Sequence, residues 1–128
     1  VGSRTFIAQA HRWRKMFGGG MRQAGMLAAA GLHALDHHVE RMVEDHGRAT
    51  QLASSINAIN GFTVDLSTVE TNMVYFTSEI PATKVMDALA TSGIDVLDIG
   101  PHSCRIVVHL HVTDEDVSEV IRAFKNLA

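Results

Sequence analysis

The opening third of this chain lacks acid. Between Val1 and Leu35 there are five cations (Arg4, Arg12, Arg14, Lys15 and Arg22) and no Asp or Glu, so that segment carries about +5 and leaves about −8 for the rest. Such segregation marks a surface that receives something anionic. Cysteine is almost missing as well. Cys104 stands alone, which excludes an internal disulfide and a cysteine metal cage, and its apolar alternating surroundings read as those of a buried thiol. A reducing, cytoplasmic setting is therefore expected. There is no run of eighteen apolar residues, no basic-then-apolar leader and no polybasic tail, so neither a membrane span nor a secretory signal is supported. Aromatic faces are scarce among the bases: only Trp13 and Phe17 stand there, and the net charge is −3, so nucleic acid is not an expected partner.

What is present is enough for one compact unit with a helical extension. At 128 residues and 46% hydrophobic the chain can bury a real core, yet it is small for a complete metabolic enzyme. Val1-Gly2-Ser3 reads as the end of a strand entering a helix, which suggests a chain cut from something longer.

Ser3 is placed to cap a helix from about Arg4 to Met16, whose Phe6, Ile7, Ala10 and Trp13 share a face and which Gly18-Gly19-Gly20 ends. From Met21 to about Leu35 the apolar residues run almost without interruption, predicting a helix buried on most sides. Asp36 is the expected cap of a third helix reaching about Ile59, with Glu40, Arg41, Glu44 and Arg48 facing water. Beyond Asn60-Gly61 the hydrophobic period changes to two, and strands are expected at Phe62 to Leu66 and Met73 to Thr77. A helix from Pro81 to Ser92 follows, then strands from Ile94 to Ile99 and Cys104 to His111 split by the turn Gly100-Pro101-His102-Ser103. Thr113 caps the last helix, whose first turn is acidic. The expected fold class is α+β: an N-terminal helical arm, then a small, mainly antiparallel sheet covered by two helices. In domain terms this gives an arm at 1–35, a connecting long helix at 36–60 and a small α/β unit at 61–128.

The run from Arg12 to Gln23 sets cations around a glycine triplet. Lys15 and Arg22 could reach an anion there, with glycine allowing close backbone approach and the free amides of the next helix pointing at it. A glycine helix stop ringed by solvated cations explains the same residues, and the run matches neither a Walker nor a dinucleotide motif. Arg105 is the second position of interest, because a cation amid the apolar residues of Cys104 to His109 needs a partner. It could recognise a carboxylate with its planar fork, together with Arg22; an edge-strand arginine facing water fits the spacing equally well. His33 and His37 lie one turn apart, and His109 and His111 share an expected strand face, but no acidic or cysteine ligand completes either pair and no functional metal is expected. Asn72 reads as a turn residue.

Arg12 to Gln23, continued by Ala24-Gly25-Met26-Leu27-Ala28-Ala29-Ala30-Gly31-Leu32, resembles the low-specificity L-threonine aldolase family of pyridoxal-phosphate enzymes with the aspartate aminotransferase fold type. The likeness extends through Glu70-Thr71-Asn72-Met73-Val74 and Arg105-Ile106-Val107-Val108-His109-Leu110-His111-Val112, in the family's order. It implies pyridoxal phosphate as cofactor, a small amino-acid substrate and a homo-oligomer. It also implies that Arg105 binds the substrate carboxylate and that Lys15 and Arg22 face the cofactor region, within or across subunits. The family's Schiff-base lysine sits in a Ser-Lys step upstream of the glycine triplet; Lys15, Lys84 and Lys125 do not match it. This chain therefore resembles the C-terminal portion of such an enzyme, with no catalytic residue of its own and no expected activity in isolation. Where many relatives are expected to carry an aspartate, this chain has His111. A small ligand-binding or oligomerisation module is the alternative reading.

Overall fold

The computed structural model describes residues 1–127. It divides into two compact units, Val1–Val39 and Glu40 onward.

The first unit holds two helices, α1 (Arg4–Met16) and α2 (Gly25–His37). Ser3 caps α1 by accepting a hydrogen bond from the Phe6 amide at 3.3 Å. The second helix starts later than its apolar run, because Gln23 takes a left-handed backbone at φ 48° and interrupts the chain after the glycine triplet. Asp36, the expected cap of the third helix, lies inside α2. Neither α1 nor α2 contains a buried residue. The expectation that the second helix is buried on most sides is therefore corrected: Met26, Leu27, Leu32 and Leu35 are all exposed.

The second unit contains α3 (Met42–Asn57), β1 (Phe62–Thr63), a short 3-10 turn (Leu66–Thr68), β2 (Met73–Ser78), α4 (Ala82–Ala90), β3 (Leu97–Gly100), β4 (Ser103–Val107) and α5 (Asp114–Lys125). The strands form one antiparallel sheet in the order β1-β2-β4-β3, so β4, which carries Arg105, is internal. This removes the edge-strand reading of Arg105.

Strict alternation gives the sheet two different faces. One presents Phe62, Val74, Phe76, Cys104 and Ile106 to a common core. The expected helices α4 and α5 contribute Val85, Leu89, Val117 and Phe124 to that core, and α3 joins them with Ala49, Leu52, Ala53 and Ile56. Phe62, Phe76 and Phe124 meet edge to face at centroid distances of 5.1 to 6.0 Å. The opposite face carries Met73, Tyr75, Thr77, Leu97, Arg105 and Val107, none of them buried.

Three strands are shorter than their sequence periods because local hydrogen bonds take the backbone elsewhere. The Val64 amide donates to the Asn57 side chain at 2.9 Å, and Asp65 then accepts from the amide and hydroxyl of Ser67, closing the 3-10 turn in place of a longer β1. The Ile94 amide donates back to Leu89 past Gly93, whose φ of 72° ends α4 in a left-handed cap, so β3 begins only at Leu97. The chain after Val108 turns: the His111 amide donates to Nδ1 of His109 and the Val112 amide to its carbonyl, which ends the strand expected to reach His111. The two histidines thus belong to a turn.

The acid-rich start of α5 forms as its sequence dictates. Thr113 and Asp116 exchange hydrogen bonds in a capping box, at 3.2 Å from the Asp116 amide and 2.8 Å from the Thr113 amide. The charged residues of α3 depart from expectation. Arg41 and Arg48 do not simply face water: they surround the buried Asp45, and Arg48 also reaches Asp114 on α5 at 2.7 Å.

Candidate functional site

In the first unit, the end of α1 folds back over its own last turn. The Gly18 and Gly19 amides donate to the carbonyls of Lys15 and Arg14, at 3.2 and 2.8 Å, and Gly18 takes φ 83°, a conformation open to glycine at little cost. A Cβ at Gly19 would stand 3.1 Å from the Arg14 carbonyl oxygen, and one at Gly20 would strike the Lys15 side chain. Gly18 is thus favoured by its left-handed backbone and Gly19 by the closeness of the Arg14 carbonyl, while at Gly20 the flexible Lys15 side chain would have to move. Lys15 donates a long 3.5 Å hydrogen bond from Nζ to the Gly20 carbonyl, which leaves further N–H groups for an anion. Arg22 is exposed and lies just ahead of α2, whose first turn has no side-chain cap. Uncapped amides and a cation at a helix start are attractive to negative charge. All ion pairs among the described residues fall between Arg41 and Arg122, so the five cations of the opening segment keep their charge unpaired by carboxylate.

In the second unit, Arg105 projects from the open face of an internal strand. Its direct neighbours in the register are Tyr75 on β2 and Leu97 on β3. Its Nε is buried and has no hydrogen-bond partner, and no carboxylate among the described residues pairs with its guanidinium. An orphaned donor of that kind is costly unless something outside the unit completes it. Tyr75 also lines a shallow depression of about 360 Å³ with Thr63, Asp65, Thr77, Ile99 and Ser103. Another cavity, about 310 Å³, lies where Gly93 to Val96 approach α5. Its rim of Asp95, Asp116 and Glu119 is the wrong sign for an anion.

The strand bearing Arg105 is held by Asn72, which sequence reasoning placed merely in a turn. The Asn72 side chain donates to the Val108 carbonyl at 2.6 Å while its own carbonyl accepts from the Val108 amide at 2.8 Å. This two-bond clasp carries the β2–β4 pairing one step past Met73 and Val107. A polar residue directly before an apolar strand was the only available signal, and its partner lies 36 residues away in sequence.

Cys104, the neighbour of Arg105, points into the core. Burial, and secondarily the charge of Asp98, push its thiol above the usual range, so it stays protonated and inert. No group of three or more His, Cys, Asp or Glu side chains among the described residues is arranged to hold a metal ion.

Lys15 and Arg22 thus belong to the first unit and Arg105 to the second. Both places offer cationic donors that no carboxylate among the described residues pairs, which suits a ligand carrying phosphate or carboxylate.

A family model described as beta-eliminating lyase matches residues 1–79, from the basic arm through β2. The chain belongs to the beta-eliminating lyase family. It is 37% identical to low-specificity L-threonine aldolase 1 of Arabidopsis thaliana, over 98% of this chain and 36% of that protein. To the low specificity L-threonine aldolase of Escherichia coli strain K12 it is 38% identical, over 94% of this chain and 35% of that enzyme. The resemblance read from the motifs around the glycine triplet and Arg105 therefore extends along nearly the entire chain, and the chain spans about a third of the length of the curated relatives it matches. Among solved structures, a cystine C-S lyase in complex with cysteine persulfide superposes with a TM-score of 0.64 at 18% identity, covering 80% of this chain and 28% of that one. That likeness establishes the fold, an α+β arrangement shared with that lyase. No helix of the described residues is long and apolar enough to cross a membrane.

Proposed function

We propose that this chain is the C-terminal part of a pyridoxal-phosphate-dependent aldolase that cleaves L-threonine or L-allo-threonine to glycine and acetaldehyde, and that it is inactive in isolation. The observation that carries the reading is Arg105: an internal-strand cation on the sheet face away from the core, with a buried, unpartnered Nε and no carboxylate partner among the described residues. Those properties suit a seat for the carboxylate of an amino acid. Both relatives named above are low-specificity L-threonine aldolases, which supports the choice of substrate.

Fit to the cofactor rests on the other cations. Lys15 and Arg22, set about the glycine triplet without carboxylate partners, would hold the phosphate-bearing side of pyridoxal phosphate, within one subunit or across a homo-oligomer. Bound pyridoxal phosphate supplies an electron sink for the charge developing at the substrate Cα. Arg105 would grip the substrate carboxylate with its guanidinium fork and hold the amino acid in place. None of Lys15, Lys84 and Lys125 stands in the position that carries the cofactor in the family, so that lysine and the base for the substrate hydroxyl come from outside these residues. The setting proposed is cytoplasmic.

The test compares the 128-residue chain with the full-length protein that carries it, each supplied with cofactor and threonine, by acetaldehyde release. Turnover is expected from the longer protein alone. Comparable turnover by the isolated chain would refute the proposal.

A further inference from the structure

We propose that Tyr75 is a positioning residue for Arg105, its ring acting as the wall that aims the guanidinium at a carboxylate. The inference rests on the carboxylate role of Arg105 given above. Tyr75 and Arg105 are directly opposed in the β2–β4 register, which sets their Cβ atoms about 5 Å apart on the same face. The other flank is Leu97, so an aromatic ring and a branched aliphatic chain bracket the arginine.

Among the described residues nothing polar fixes that arginine. Its Nε is screened from water with no hydrogen-bond partner and its guanidinium has no ion-pair partner among them, so packing by its neighbours is what restricts its rotamers. Of the two flanks only Tyr75 offers a flat face on which a planar guanidinium can lie, an arrangement that Arg favours. Tyr75 is free to do so. It is 43% exposed, and its hydroxyl makes only a weak 3.6 Å contact with the sulfur of Met73 on the same strand face. With Nε buried and unbonded, the two terminal nitrogens remain for a bidentate bond to the ligand. Removing the ring would let the side chain swing and rehydrate, weakening carboxylate binding while leaving the later chemistry alone.

The experiment uses the full-length protein with cofactor bound and measures the dissociation constant of glycine by calorimetry, alongside KM and kcat for threonine. The variants are Tyr75→Phe, Tyr75→Ala, Arg105→Ala and the double variant. Tyr75→Phe should stay within about twofold of the parent, and Tyr75→Ala should weaken glycine and raise KM roughly fivefold with kcat within about twofold, the scale of one freed side chain. In the Arg105→Ala background, Tyr75→Ala should add nothing, because its effect passes through the arginine. Glycine binding unchanged by Tyr75→Ala while Arg105→Ala weakens it would overturn the role of Tyr75 and leave that of Arg105 standing. An equal loss in both backgrounds would mean general damage to the sheet, and a loss in Tyr75→Phe as large as in Tyr75→Ala would transfer the role to the hydroxyl; either overturns the inference. If Arg105→Ala itself leaves glycine binding intact, the carboxylate seat and the inference built on it fall together.

Discussion

Arg41 holds Asp45 through two hydrogen bonds of 2.7 and 3.0 Å, one turn apart on α3, in the planar fork geometry that an arginine and a carboxylate share. Asp45 is only 7% exposed, and Arg48 approaches the same carboxylate while binding Asp114 on α5. One buried acid therefore anchors two cations and joins the helix that enters the second unit to the helix that ends it. Asp45→Ala should destabilise the second unit by about 2 kcal/mol, the scale of lost charged hydrogen bonds. Asp114→Ala, whose carboxylate is exposed, should cost far less. Urea denaturation followed by circular dichroism compares the two, and equal losses would show that Asp45 is not the anchor.

The same carboxylate sets an acid limit. Hydrogen bonds from Arg41 hold Asp45 below the usual carboxylate range; the Thr113 amide and hydroxyl do this for Asp116, and Ser67 does it for Asp65. Their folded-state pKa values are depressed, so their stabilisation is complete above the unfolded-state value, about 4, and is lost as pH falls through the folded values. The melting temperature should hardly respond to these groups between pH 7 and about pH 5 and should fall below about pH 4. Asp45→Asn should flatten that acid limb. A variant with an unchanged acid limb would remove Asp45 from the account.

The two units should differ in local stability. Neither α1 nor α2 contains a buried residue, while the sheet and its three helices share one core. Amide exchange in the isolated chain should therefore be fast across residues 25–37 and slow across β2 and β4, since protection follows buried contacts. Comparable protection in both would mean that α2 finds a partner surface in the isolated chain.

Much of this was readable from the residues, for reasons that differ by element. The bounds of α1 follow from Ser3 and the glycine triplet, and α5 from the capping box, because caps are local chemistry. The period-two strands and the buried Cys104 were legible, and in the structure that alternation sets Val74 and Cys104 in the core apart from Tyr75 and Arg105 on the other face. Hydrogen bonds from side chains to distant backbone left no such mark. Asn57 shortens β1 by capturing the Val64 amide, and Asn72 clasps Val108 across the sheet, yet the first falls inside the expected third helix and the second reads as a turn residue. Asp45 was also hidden, because an acid among acids on a helix looks like solvent-facing charge until Arg41 and Arg48 close around it. The α2 boundary failed for another reason: an unbroken apolar run does not show where Gln23 turns left-handed. Arg105 stood out in the sequence as a cation amid apolar residues, and the internal placement of β4 was needed to remove its edge-strand alternative.

The most direct measurement is the KM for threonine of Arg105→Ala in the full-length protein. Loss of a bidentate, charge-assisted pair should raise KM about thirtyfold, with cofactor content unchanged by absorbance. A KM equal to that of the parent would contradict the account, because the unpartnered guanidinium on the open face of β4 would then have no substrate to hold.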